Sequence, residues 1–448
     1  MSHRTIRPAL AAVAAVAVLG LTAACGTSGP SGAGAPAAAG SAAAGKGSAS
    51  VWIMSGVTEK TFKDSFDRWN GAHPDQSFTS QSFANDAYKQ KVHTAIGAGQ
   101  APTLIYSWGG GTLRQYAKND VVVDLSPLAQ DPAFADKFLP SVLATGEVDG
   151  KTYALPNNGT KPVMIYFNKD VFSKLGLQPP ATWDDLMAMV PKLVHAGIAP
   201  FTVAGQAQWP LLPYLAYLVD RIGGPEVFAN IAADKPDAWS DPAVTEALKD
   251  IQQLVDAGGF QKGFASTSTD SGADVALLYS GKAAMTLGLP SAYQTMLTAD
   301  PAFVKAGKVG IIPFPAVTGG KGDPKDVTGN TSNYWSVSAS ASKADQQAAE
   351  DYLKAELSSP DYVSSLLATG NIPAVKGIDD QLAKTDQPEY YETLYKAAED
   401  APSFQLSIDQ ALAPNAATAL TTNLQQIFLK QLTPQQFVDA MNKTIGQG

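Results

Sequence analysis

The segment APTLIYSWGGGTL, residues 101–113, combines a strand signal, an aromatic side chain and a glycine run. The apolar run Thr103–Tyr106 predicts a short buried strand. That strand delivers Trp108 to its carboxyl end, where Gly109, Gly110 and Gly111 follow. Glycine allows a sharp turn or a close backbone approach. In open α/β sheets, ligands bind beyond the carboxyl ends of strands. Trp108 is therefore a candidate stacking platform with Gly109 beside it. A core tryptophan followed by a plain turn accounts for the same residues.

Working outward, Ser50–Met54 predicts a first strand and Thr58–Asn70 a helix, because Phe62, Phe66 and Trp69 fall on one helical face. Gln76–Phe83 predicts a second strand, and Tyr88–Ala98 a second helix ahead of the opening segment. Strand, helix, strand, helix, strand is an α/β pattern with a largely parallel sheet. Further on, Asp149-Gly150 signals a hairpin. Val163–Phe167 predicts a strong strand, preceded by a polar turn at Asn157-Asn158-Gly159. Thr182 and Asp185 have the spacing of a capping box, and Pro191 is expected to kink the helix they open. Strands are expected at Phe201–Val203, Ala283–Leu287, Val309–Ile312 and Tyr334–Val337. Gly319–Gly329 reads as a turn-rich insertion, Thr369–Val375 as a loop, and the remainder as mainly helical. Thr433, Pro434 and Gln436 open the last helix.

The 448 residues suffice for two or three domains. A formal net charge of −9 argues against a nucleic-acid partner, which needs a basic face. Four histidines and one cysteine make a histidine-rich or thiolate metal site unexpected. At the N-terminus, Arg4 and Arg7 precede an apolar run, Ala9–Leu21, too short for a stable membrane anchor. Leu21-Thr22-Ala23-Ala24-Cys25-Gly26 then resembles a bacterial lipobox, with Cys25 the acylated residue. An ordinary signal peptide with a chance cysteine is the alternative. Residues 26–48 are nearly all Gly, Ala, Ser and Pro, the composition of a flexible tether. The single cysteine excludes an intramolecular disulfide.

No G-x-S-x-G, H-E-x-x-H, C-x-x-C or Walker motif is present. No catalytic residue and no cofactor is expected, and none of the 41 acids singles out a hydrolytic pair. Aromatic residues instead cluster near polar segments: Trp108, Trp209, Tyr334, Trp335, and Tyr293 after Gly288 and Pro290. Sugars present flat C–H faces rimmed by hydroxyls. A site for them combines aromatic platforms with planar polar groups.

Several motifs, in order, carry a resemblance. Gly99-Gln100-Ala101-Pro102-Thr103-Leu104 after Tyr88–Val92 is similar to a helix–sG.aPDv–strand pattern, with Thr103 where Asp is usual. Ile165–Asp170 is similar to YNKD, Thr182–Leu186 to P.TWdEl, Ser280–Met285 to GkaAM, and Gly370–Ala374 to G.lPa. Residues 50–446 thus resemble the extracellular solute-binding proteins of carbohydrate ABC importers, in the oligosaccharide branch that includes maltose-binding protein.

That resemblance implies a two-lobed periplasmic-binding-protein-like α/β fold, each lobe a mixed sheet flanked by helices, with a multi-segment hinge. The expected organisation is a signal peptide at 1–24, a lipidated linker at 25–48, lobe one at 49–157 plus 317–358, and lobe two at 158–316 plus 359–448. Hinge crossings are expected near Asn157–Lys161, Phe314–Val317 and Ser358–Pro360. The resemblance further implies a lipid-anchored, extracytoplasmic monomer that captures a di- or oligosaccharide, with a lean to β-linked plant sugars such as xylobiose, for permease subunits. Carried onto this chain, it places Trp108 and Gly109 in lobe one, and Gln206 and Trp209 in a facing loop. Asn157 and Asn158 lie at the first crossing, and Tyr334 and Trp335 on the returning segment. Tyr293, Asn330, Asn371 and Asp409 complete the expected contacts, although Asp409 serves equally as a helix cap or surface acid. A secreted glycan hydrolase, a non-sugar binder and a lipoprotein adhesin are the alternatives.

Overall fold

The computed structural model describes residues 49–447 apart from Val57 and Asp270. Cys25, the lipobox and the linker to Ser48 lie outside the described residues.

Strand β1 (Ala49–Met54) buries Ala49, Val51 and Ile53 alternately with half-exposed neighbours, as a strand covered chiefly on one face should. It pairs in parallel with β2 (Phe78–Phe83) and β3 (Leu104–Ser107). The intervening helices Glu59–Ala72 and Asn85–Gly97 supply the crossovers. Phe62, Phe66 and Trp69 form the buried face of the first, as their spacing predicts. A hairpin of β4 (Glu147–Val148) and β5 (Lys151–Thr152) turns at Asp149-Gly150. Strand β6 (Leu155–Pro156) follows it.

The chain then runs through β7 (Gly159–Pro162) into β8 (Met164–Asn168). Every residue of β8 is buried, the pattern of a strand covered on both faces. Met164 and Tyr166 enter one core, while Ile165 and Phe167 enter another. β9 (Ala199–Phe201), β10 (Ala283–Gly288) and β11 (Val309–Ile312) complete its sheet, in the order β11-β8-β10-β9. β8 is antiparallel to both β10 and β11.

β12 (Val327–Asn330) and β13 (Tyr334–Val337) come next, then β14 (Ile372–Pro373) and β15 (Phe404–Leu406). β13 inserts antiparallel between β3 and β6, so the first sheet, β2-β1-β3-β13-β6, is mixed and not uniformly parallel. The other three strands join β7 in a third sheet, β14-β7-β12-β15. The segments around β12, β14 and β15 read as insertion, loop and helix-dominated tail in the sequence. These strands have two to four residues and little apolar alternation, so only pairing with distant chain makes them strands. β12 and β7 approach very closely: a Cβ at Gly329, where φ is +149°, would lie 2.2 Å from the Lys161 carbonyl oxygen.

The capping boxes form at Thr182/Asp185 and Thr433/Gln436, and the helix Trp183–His195 continues through Pro191. The C-terminal helices Pro414–Phe428 and Pro434–Asn442 pack into the core around the second sheet. Residues 360–399, expected in the second lobe, place Tyr362, Leu366 and Leu394 in the core that contains Val51 and Ile53 of the first sheet. The third sheet touches both sides: the helix Leu212–Gly223 packs on β12 and the helix Pro388–Glu399 on β7.

Candidate ligand cleft

A cavity of about 220 Å³ opens where the three sheets meet. On one wall Trp108 continues from β3, the predicted strand that delivers it. Its ring is fixed edge-on by Tyr106 at 5.5 Å and Tyr88 at 6.2 Å. Tyr88 is itself held by a 2.7 Å bond from its hydroxyl to the Tyr106 carbonyl. The ammonium of Lys89 lies 5.1 Å from the Trp108 ring centroid, in cation–π range.

The opposite wall carries Trp209, Pro213 and Leu289. Trp209 is 39% exposed, an unusual degree for an indole. Its loop turns at Gln208, which takes φ +64°. Gln425, on the helix Pro414–Phe428, pins this loop: it accepts from Gln208 at 3.1 Å and donates to the Gly205 carbonyl at 2.9 Å. A smaller cavity of about 100 Å³ continues behind Trp209.

The third sheet provides the polar floor. Thr328 and Asn330, two apart on β12, face the cavity. Asn330 Oδ1 accepts from Ser407 Oγ at 3.0 Å, joining β12 to the segment after β15. Asp409 and Gln410 follow. Burial raises the Asp409 carboxyl above the ordinary aspartate value, and the Lys89 charge partly opposes this. Gln410 Oε1 is buried without a hydrogen-bond partner, an acceptor that a ligand hydroxyl would satisfy.

Of the residues singled out in the sequence, Trp108, Trp209, Asn330 and Asp409 line this cavity together. The others are placed elsewhere. Trp335 is fully buried among Phe62, Phe66 and Tyr106, because β13 is an interior strand. Tyr334 points to the other face of β13, donates to the Val142 carbonyl at 2.8 Å and is also buried. Tyr293 stacks on Tyr390 with centroids 3.9 Å apart and donates to Gln387. These three aromatics, expected as ligand contacts, pack into hydrophobic cores and do not line the cavity. Asn157 and Asn158 are buried at the approach to β7, where the Ser332 hydroxyl donates to the Asn158 carbonyl. Gln206 is exposed beside the cleft loop and is not among the cavity's lining residues. Asn371 bonds back to Thr369 Oγ1 at 3.0 Å, at a helix end.

The glycines after Trp108 make close approaches to this chain itself. A Cβ at Gly110 would lie 2.2 Å from the Gln410 carbonyl oxygen, and one at Gly111 2.1 Å from that of Leu412. Gly109, at φ +76°, is packed against Thr145 and Tyr334. The glycine run thereby holds the Asp409–Gln410 segment next to Trp108. Lys89, Ser407 and Gln410 were not singled out in the sequence; an ordinary lysine, serine and glutamine there carry no motif.

Residues 55–362 match the sequence profile described as bacterial extracellular solute-binding protein. The chain belongs to this family. A solved solute-binding neighbour, from xylan utilization by the thermophilic bacterium Caldanaerobius polysaccharolyticus, superposes with a TM-score of 0.75 at 26% identity. That match covers 89% of this chain and 100% of the other. Among curated relatives, an uncharacterized ABC transporter extracellular-binding protein of Pyrococcus horikoshii is 26% identical over 217 residues, 48% of this chain and 47% of that one. A probable sugar-binding periplasmic protein of Mesorhizobium japonicum is 32% identical over 154 residues, 34% and 36% of the two chains. The matched segments thus span about half or less of these curated relatives. The two-lobed fold of this solute-binding protein accounts for a cavity bounded by two separate cores.

Proposed function

We propose that this solute-binding protein captures a di- or oligosaccharide between its lobes and hands it to the permease of an ABC importer, held at the extracytoplasmic membrane face by an acylated Cys25. The observation that carries the reading is the pair Trp108 and Trp209, presented from opposite walls over a floor of Asn330, Asp409 and Gln410. Aromatic faces suit the C–H surfaces of a sugar, and the polar floor suits its hydroxyls. The sugar-binding relative and the xylan-utilization neighbour support the same class. A β-linked plant-derived oligosaccharide such as xylobiose is the favoured solute.

The lobes close by shifting a population already accessible to the free protein. No covalent chemistry is assigned to the cleft. Asp409 acts as a hydrogen-bond partner, and the permease reads the closed form. A thermal-shift panel of mono- and oligosaccharides tests this function. Ligand at one hundred times Kd should add about 2.7 kcal/mol of stability. Absence of a shift with every saccharide, with the protein folded, sinks the reading.

A further inference from the structure

One charged side chain beside the cleft has no counter-ion. Lys161 lies on β7 directly opposite Asn330 of β12 in an antiparallel pair. Directly opposed residues project to the same face of a sheet, and Asn330 lines the cavity. Lys161 is therefore half-buried on the cleft-side face of the sheet, at the junction of the two cores and beside the cavity's lining residues, not among them.

The hydrogen-bond network orients the Asn333 amide with its oxygen toward Lys161 Nζ, at 3.2 Å, and toward the Tyr106 hydroxyl. None of the ion pairs among the described residues includes Lys161. Burial alone moves its ammonium down to about 8, with no carboxylate offsetting the shift. The lysine that lines the cavity is differently placed: Lys89 has the Trp108 face and the Asp409 charge nearby.

A half-buried cation whose one fixed partner is a neutral amide oxygen gains from any counter-charge brought to that face. We infer that the solute supplies it: Lys161 reads charge in the cleft, and the saccharide taken carries a carboxylate, as a uronic acid does. The inference rests on the saccharide reading above and narrows its ligand class. A single lysine suits a monoanion. A phosphate dianion calls for more donors than one lysine supplies.

The test is calorimetric titration of the whole mature protein with xylotriose and with xylotriose bearing one glucuronic acid branch. The wild type should bind the acidic sugar about tenfold tighter or more, the range for a hydrogen bond to a charged group. Lys161→Met should abolish that preference, read as the ratio of acidic- to neutral-sugar affinity within the same variant, and Lys161→Arg should restore part of it. Equal or weaker binding of the acidic sugar overturns the inference, as does a preference that survives Lys161→Met. Binding of sn-glycerol 3-phosphate without binding of the uronate overturns the carboxylate assignment. Failure of both sugars to bind sinks the saccharide reading itself, a distinct result. Should Lys161→Met not fold, the wild-type comparison decides: a preference for the acidic sugar that weakens with added salt supports the inference, and no preference overturns it.

Discussion

Two tryptophans that look alike in sequence should respond in opposite ways to truncation. Trp335 is 0% exposed, with Phe62 and Tyr106 each 5.4 Å away centroid to centroid. A buried tryptophan withdraws roughly 200 Å² from water. At about 25 cal/mol per Å² that is about 5 kcal/mol of transfer free energy. Alanine keeps a part of this, and the cavity left behind adds a penalty, so Trp335→Ala should lose about 3–5 kcal/mol. Trp209 keeps 39% of its surface exposed, and Trp209→Ala should lose only about 1–2 kcal/mol of stability. Its effect should fall on binding. A sugar face covering roughly 60–100 Å² of indole contributes about 1.5–2.5 kcal/mol, or about 10- to 60-fold in Kd. Urea melts read the first quantity and calorimetry the second. A wild-type urea midpoint for Trp335→Ala, or full sugar affinity for Trp209→Ala, would refute this division between core and cleft.

Arg221 is buried, bonded to Asp220 and to the carbonyls of Pro324 and Asp326. Arg221→Met strands the Asp220 carboxylate and should cost about 3–5 kcal/mol in a urea melt; adding Asp220→Asn should recover part of that loss. Burial, reinforced by the charges of Glu246 and Asp184, raises the Asp250 carboxyl from 3.8 to about 6. The folded state therefore holds an extra proton between those pH values, and this group's contribution to stability falls as pH rises through that window. Asp250→Asn should raise the melting temperature at pH 7 and change it little near pH 3; equal effects at both would exclude this linkage. Gly111→Ala drives a methyl into the Leu412 carbonyl, so both melting temperature and sugar affinity should fall; an unchanged melting temperature would show that the Asp409–Gln410 segment tolerates displacement.

Much was legible locally. The strand before Trp108, the aromatic face of Glu59–Ala72, the Asp149-Gly150 hairpin and both capping boxes depend on neighbours a few residues away. Trp108 and Trp209 stand out as aromatics beside polar segments, and it is the family resemblance that carries them, with Asn330 and Asp409, to the ligand cleft. Trp335 and Tyr334 have the same chemical character, yet β13 inserts between β3 and β6, and the insertion buries both faces. Position within a sheet is a property of partners more than 170 residues distant and leaves no local mark.

The third sheet makes the same point more sharply. Its strands come from residues 159–162, 327–330, 372–373 and 404–406, each too short to show a period of its own. By itself, the sequence determined the local elements, the lipobox resemblance and the repertoire of aromatic and polar side chains, because these rest on near-neighbour sterics and residue chemistry. Only the tertiary structure decided which aromatics face the cleft, why the glycines follow Trp108, and that Lys161 stands opposite Asn330 without a counter-charge. Each of those follows from long-range pairing, which sets burial and, through burial, the energy of every charge.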